Sequence, residues 1–416
     1  MDFSNPKFPT LKETVDFFQD LRSWEEQTSE LVTYDIVPKD DKDREIVSDY
    51  LKNNSFKSLE ENKAITSFIC LGIGDALGAH LEGQVVDYTR DIIKDFPSLA
   101  NVKHDKARPG YGLYTDDTCM ALCMADSILA NNFEFNGIDM RQRFVEWWFK
   151  GYNNGRANDP KDKKSFGIGT TTMNSFMFFL KRPQDFVVPV FDYSKENNAN
   201  GTIMRIAPVP IAYHDDLDKA LDFADKQSRT THNGHEASEL CKLLTFLIVK
   251  FIHMKTPEEC KEFLNNLDKH YKSDIPSVQA LINSTTETDF DPYEGMEQNA
   301  SLDDRNWNWK DPNWKYSEHR IKRSPEFVGI YCMDNAAMSL HIIYHTKSLK
   351  EAILKAVNLG GDCDSVGAVT GAMAGAIYGY DDFVKDCYEW VQKWDEMKIA
   401  IRAYKMFNKR SVDVPK

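Results

Sequence analysis

Residues 359–379, LGGDCDSVGAVTGAMAGAIYG, carry glycines at 367, 371, 375 and 379, each four residues from the next. Positions four apart return to the same side of an α-helix. A helix through this stretch therefore has a face without side chains, along which a second backbone can come close. In a membrane such a stripe pairs helices, but the small-residue run 366–379 is too short to span one and is flanked by Asp364 and Asp381. It predicts the tightly packed central helix of a soluble bundle.

The rest of the chain agrees with that frame. Apolar residues recur at helical spacing in AITSFICLGIGDALGAHLEG (64–83), MALCMADSILANN (120–132), RQRFVEWWFKGY (141–152), SELCKLLTFLIVKFI (238–252), MDNAAMSLHIIYH (333–345) and DDFVKDCYEWVQKW (381–394). Strand-like alternation is scarce, so the expected fold is all-α. Residues 1–58 are charged, with one amphipathic patch at 15–24, and read as an N-terminal extension ahead of a main domain over 59–410. Residues 283–326 are too rich in polar and turn residues for one helix. Trp307, Trp309 and Trp314 within them are expected to anchor a long loop to the body, in preference to stacking on a base.

Composition narrows the function. With 416 residues, 42% hydrophobic and 28% charged, the chain can bury a sizeable core. The 51 basic residues stand against 65 acidic ones, for a net charge of -14, which argues against broad binding to nucleic acid or anionic membrane. The N-terminus lacks a secretory pattern and no run of about 18 apolar residues occurs, so a soluble, cytoplasmic protein, acting as a monomer, is expected. Eight cysteines without C-x-x-C spacing read as reduced core thiols.

Two acidic clusters stand out. YTDDTCMALC (114–123) places Asp116 and Asp117 between two threonines at a helix start, where a Thr cap and negative charge are ordinary. LGGDCDS places Asp362 and Asp364 two apart ahead of Ser365 and the small-residue helix. Four carboxylates and hydroxyls are hard oxygen donors, suited to Mg²⁺, Mn²⁺ or Ca²⁺ and not to zinc. A third element, GIGDALGAHLEG (72–83), adds Asp75 and Glu82 seven residues apart, which two helical turns would bring to one face. A carboxylate beside a metal could act as acid or base, or orient water; Asp75 could equally bond backbone and Glu82 be solvated. NNANGTIMRIAPVPI (197–211) and SFGIGTTTMNSF (165–176) are candidate phosphate-holding segments at helix starts. The pairs His232/His235 and His341/His345 have helical spacing but no H-E-x-x-H or cysteine partner, so zinc is disfavoured.

Taken in order, GDALGAHLEG, YTDDT, NGTIMR, THNGHEAS and NLGGDCDSVGAVTGAMAGAIYG resemble the ADP-ribosylglycohydrolase family, which includes the dinitrogenase reductase activating glycohydrolase. The likeness covers roughly residues 60–400. It implies an orthogonal helical bundle with two Mg²⁺ (or Mn²⁺) ions in a cleft that holds ADP-ribose. On that resemblance Thr115, Asp116, Asp117, Asp362, Asp364 and Ser365 correspond to metal ligands, with Glu82 or Asp117 activating water. Asn200, Gly201, Thr202, His232, Gly360 and Gly361 correspond to substrate-binding positions. Ser365 stands where many members have Thr. Arginine-specific relatives can carry an acid where this chain has Asn197, which weakens the case for arginine. The expected activity is removal of ADP-ribose from protein side chains, arginine first and serine second. Alternatives are hydrolysis of a small ADP-ribosyl metabolite or nucleic-acid end, or a non-catalytic ADP-ribose-binding, crystallin-like role.

Overall fold

The computed structural model describes residues 41–102, 110–158, 165–181, 197–287 and 304–410, with the isolated positions 16 and 37. The amphipathic patch expected at 15–24 lies outside the described residues, apart from position 16. In chain order the α-helices are α1 (Lys42–Asn53), α2 (Leu59–Gly78), α3 (Asp116–Ala130), α4 (Gly137–Lys150), α5 (Thr170–Lys181), α6 (Pro208–Ala212), α7 (Leu217–Ser228), α8 (His235–His253), α9 (Pro257–Asn265), α10 (Leu267–His270), α11 (Pro276–Asn283), α12 (Glu318–Arg323), α13 (Cys332–His345), α14 (Leu349–Val357), α15 (Cys363–Tyr378), α16 (Asp382–Asp395) and α17 (Lys398–Phe407). Among the described residues there is no sheet, only three isolated bridges. The fold is all-α, as expected.

The glycine stripe does what its spacing predicts. A Cβ on Gly74 would stand 2.0 Å from the Gly367 carbonyl oxygen, one on Gly371 2.1 Å from that of Cys70, and one on Gly375 2.6 Å from that of Thr66. No side chain fits those gaps, so α2 and α15 lie backbone against backbone. The Ser67 hydroxyl donates to the Ala372 carbonyl at 2.7 Å across the same seam. Both helices are buried on nearly every side, as expected of a helix that is apolar all round. Helices α8, α13 and α14 pack on α15, while α16 and α17 pack on α2.

Several charged groups inside this core are paired. Lys63 is buried, yet its ammonium donates to the carbonyls of Phe251 (3.1 Å) and Met254 (2.5 Å) at the end of α8, where the helix dipole favours a cation. Arg402 of α17 and Asp126 of α3 form a fully buried ion pair at 2.5 Å. All eight cysteines are free and buried. No described helix is long and apolar enough to cross a membrane.

The Trp-rich insert is held by its tryptophans. Trp307 and Trp309 are fully buried; the Trp309 indole donates to the Leu281 carbonyl at 2.6 Å, and the Arg305 and Arg320 guanidiniums lie over Trp307. They anchor the loop, and none lines the cavity described below.

Candidate active site

The close approach of α2 and α15 sets the register of the acidic groups. Asp75, one residue after Gly74, points toward the start of α3. Its carboxylate accepts from the backbone N–H groups of Thr115 (2.9 Å) and Thr118 (3.0 Å) and from both hydroxyls (2.9 and 2.6 Å). The sequence suggests a Thr cap for α3, but the Thr115 side chain makes no capping bond. Asp75, from another helix, satisfies the free N–H groups instead. Burial raises its carboxyl to about 6 against these donors.

Around this cap two carboxylate groups form. Asp75, Asp117 and Asp364 each offer an oxygen, all within 4.8 Å of one another; Glu82, Asp362 and Asp364 do the same. Asp364 belongs to both. Asp362 is the N-cap residue of α15 and Asp364 lies in its first turn, so the two clusters do sit at helix starts. Glu82 arrives by another route than expected. Helix α2 ends at Gly78, against which the backbone of Asp364 packs, and Leu81 and Glu82 both direct their N–H groups to the Gly78 carbonyl. Asp75 and Glu82 are therefore not two turns apart on one helical face. Glu82 sits in an exposed turn, whose neighbours Gly83 and Gln84 bond Gly361 (2.9 and 2.6 Å).

The acidic groups meet a cavity of about 540 Å³, lined by Glu82, Asp116, Asp362, Asp364 and Ser365 on one side. Further lining comes from the Gly167–Ser175 segment, the Asn197–Gly201 loop and Thr231–Asn233. A third wall, Phe327, Ile330 and Tyr331, is tied to that loop: Asn200 N–H donates to Ile330 O (2.8 Å) and Cys332 N–H to Asn198 O (3.0 Å). Tyr331 is in turn held by the buried carboxylate of Glu236, which also pairs with Arg305 at 2.6 Å. Through Arg305 the insert thus supports a cavity wall, a link that no local sequence pattern signals.

Charge is unbalanced here. Burial first, and then the charges of Asp75 and their other acidic neighbours, hold Asp116 and Asp117 well above the ordinary carboxylate range. Burial, Glu82 and Asp362 do the same to Asp364, and burial raises Asp362. Among the described residues no Lys or Arg lines the cavity. Asp117 Oδ1 is buried without a hydrogen-bond partner, while its other oxygen accepts from the Thr115 hydroxyl at 3.0 Å. An all-oxygen donor set with an orphaned carboxylate oxygen and mutual repulsion fits a hard divalent cation.

The structure sorts the residues singled out by sequence. Thr115, Asp116, Asp117, Asp362, Asp364 and Ser365 converge on one region, with Glu82 above them. Gly201 and His232 line the cavity, and so does Asn200, whose amide donates to Asp362 (2.5 Å) and Gly329 O (3.1 Å). Thr202 does not line it: its hydroxyl accepts from Ser228 and Cys241 in the core. Gly360 and Gly361 also lie off the cavity, packed at positive φ (81° and 64°) against Gln84 O and Val328 O, so they shape the turn. Asp75 is the residue left out of the expected ligand set that the structure places among the acids. Its bonds to Thr115 and Thr118 lie across 40 residues or more, beyond the reach of local patterns.

The chain is 28% identical over 80% of its length to an ADP-ribosylarginine hydrolase Tri1 of Serratia proteamaculans, covering 75% of that protein. It is 23% identical to the ADP-ribosyl-[dinitrogen reductase] glycohydrolase of Rhodospirillum rubrum, over 81% of this chain and 92% of the other. With human ADP-ribosylhydrolase ARH3 it shares 24% identity, over 81% and 91%. A solved structure described as an ADP-ribosylglycohydrolase-related protein complex shares the fold, with a TM-score of 0.58 and 23% identity over 84% of this chain and 99% of that one. The ADP-ribosylglycohydrolase family model matches residues 57–412, spanning all three acidic elements and every wall of the cavity. An all-α bundle whose α2–α15 seam gathers the carboxylates at one cavity, within a match of that extent, makes this chain a member of the ADP-ribosylglycohydrolase family.

Proposed function

We propose that the cavity binds the ADP-ribose part of a modified protein and that the chain hydrolyses the bond joining ADP-ribose to an arginine side chain. The observation that carries this reading is the pair of carboxylate groups sharing Asp364 beneath a cavity whose rim holds Glu82. Thr115, Asp116, Asp117, Asp362, Asp364 and Ser365 would hold two Mg²⁺ or Mn²⁺ ions. When bound, such ions supply positive charge for ribose hydroxyls and for orienting water. Glu82 or Asp117 takes a proton from the water that attacks the anomeric carbon, and the C–N bond to the guanidinium breaks as the leaving group regains a proton. Asn200, Gly201 and His232 face the diphosphate. Asp75 acts as a positioning residue, since its lone pairs are directed at Thr115 and Thr118.

Arginine is placed first because a relative at 28% identity is named an ADP-ribosylarginine hydrolase. Serine is the second reading. Asn197 lines the cavity where arginine-specific relatives can carry an acid.

The test is release of ADP-ribose from peptides modified at arginine or at serine, in Mg²⁺ and in chelator. Wild type should release ADP-ribose from the arginine peptide in Mg²⁺ only, and Asp117→Ala and Asp364→Ala should abolish it. Full activity in chelator would overturn the metal assignment. Binding of ADP-ribose with turnover of neither peptide would favour the non-catalytic role.

A further inference from the structure

Arg205 is fully buried in the wall behind the cavity. Among the described residues it has no carboxylate partner. Its Nε donates to Gln227 Oε1 (3.1 Å), its Nη2 to Gln227 O (3.1 Å), Thr231 Oγ1 (2.9 Å) and Thr230 Oγ1 (3.4 Å), and its Nη1 faces Met120 Sδ. Its face lies 4.6 Å from the Phe144 ring centre. A buried cation held only by neutral groups is costly, so its placement calls for a reason beyond packing.

The bond to Thr231 supplies one. A guanidinium can only donate, so the Thr231 oxygen accepts from it. That hydroxyl still has its own hydrogen, and the acceptor within reach is His232 Nδ1 at 2.9 Å. Were Nδ1 protonated, the Thr231 hydroxyl hydrogen would be stranded at a position only 1% exposed, which costs a full unmade hydrogen bond. The chain Arg205 to Thr231 to His232 therefore runs in one direction, and the imidazole carries its proton on Nε2. That edge of the ring faces the cavity at the Asn200–Thr202 turn: a Cβ on Gly201 would lie 3.0 Å from His232 Cε1 and 3.1 Å from Nε2. Nε2 has no hydrogen-bond partner among the described residues. The ring is neutral at physiological pH, since burial, aided by the Arg205 charge, holds it down at about 3.

We propose that Arg205 is a positioning residue which, through the Thr231 hydroxyl, fixes His232 as the Nε2–H tautomer and so aims a hydrogen-bond donor at an anionic oxygen bound beside Gly201. The ligand half rests on reading the cavity as an ADP-ribose site, and the diphosphate is the oxygen source that reading supplies. The tautomer half is a property of the protein alone.

The experiment uses the full chain with ¹⁵N-labelled histidine, His232 being assigned by its loss in His232→Asn. Long-range proton–nitrogen spectra report which ring nitrogen is protonated, and calorimetry with Mg²⁺ reports ADP-ribose affinity. Wild type should show Nε2–H. Thr231→Val, nearly the same shape, should give a tautomer mixture and weaken ADP-ribose about ten-fold, the size expected for a hydrogen bond to a charged acceptor. Thr231→Ser, which restores the hydroxyl, should recover both. Arg205→Met should shift the tautomer in the same direction, and Thr231→Val decides the matter if that variant does not fold. An Nδ1–H ring in wild type, or Thr231→Val with unchanged tautomer and affinity, overturns the proposal. If wild type binds no ADP-ribose, the proposed function and the ligand half fall together, while the tautomer half stands or falls on the spectrum.

Discussion

Gly371→Ala tests the seam that places the acids. In an ordinary helix interior this change stabilises by about 1 kcal/mol, because alanine loses less backbone freedom on folding. Here the new methyl would sit 2.1 Å from the Cys70 carbonyl oxygen and 2.7 Å from its carbon, whereas real Cβ atoms essentially never come within 3.0 Å of another group. The obstacle is backbone, with no rotamer to turn away, so α2 and α15 must separate by about 0.9 Å. Overpacking of this kind costs roughly 1–3 kcal/mol, and an immovable neighbour puts the cost at the upper end. The net expectation is destabilisation of about 2 kcal/mol, read as a fall of about 3 °C or more in melting temperature. Activity should suffer more than stability. Asp75 rides on α2 and Asp364 on α15, and a misplacement near 1 Å at a reacting centre can cost about a hundred-fold in rate. Gly169→Ala, whose Cβ would meet nothing within 4 Å, is the stability control. A Gly371→Ala protein that melts at or above the wild-type temperature would refute the reasoning.

Three further outcomes follow from the site. Glu82→Gln should cut turnover by about a hundred-fold with melting unchanged, because the side chain is exposed in a turn; unchanged turnover would remove Glu82 from the mechanism. Mg²⁺ should raise the melting temperature, and the gain should grow from pH 5.5 to 8, as thermal scans in Mg²⁺ and in chelator will show. The sign comes from the raised carboxylates: without a cation, Asp116, Asp117 and Asp364 favour the folded chain fully only below their ordinary 3.8 and lose that stability as pH rises through their raised values, as Asp75 beside them does through about 6. Protons and the cation compete for these oxygens, so a gain independent of pH would contradict the assignment. Arg305→Met leaves Glu236 and Glu287 buried without their cation and should cost about 3 kcal/mol, read as a lower urea midpoint; a variant as stable as wild type would show the insert is not fastened there.

Much of the centre could be read from sequence because its signals are local. Glycines four apart define a helix face, and Asp116–Asp117 and Asp362–Asp364 are neighbours in the chain. What could not be read depends on contacts between distant segments. Apolar spacing continues past Gly78, but the helix stops there, where Cys363 donates to the Gly78 carbonyl across 285 residues. Thr115 has the look of a cap, yet the oxygen that caps α3 belongs to Asp75. Thr202 and Asn200 are two apart in one short turn, but one faces the core and the other the cavity. The tryptophans were legible as anchors; the arginine that carries their loop to Tyr331 was not.

The seam between α2 and α15 also orders events during synthesis. Ser67 and Ala372, bonded across it, are 305 residues apart, so the emerging chain must extend that far past Ser67 before α2 can meet the partner that covers it. Until then the small, apolar face around Cys70, Gly74 and Gly78 lacks its native cover, which is the kind of surface that chaperones attend. Contacts of such long sequence separation form slowly. The carboxylates of Asp75 and Asp364 therefore meet only after residue 364 has been made, and a nascent chain released before that residue contains neither complete acidic group.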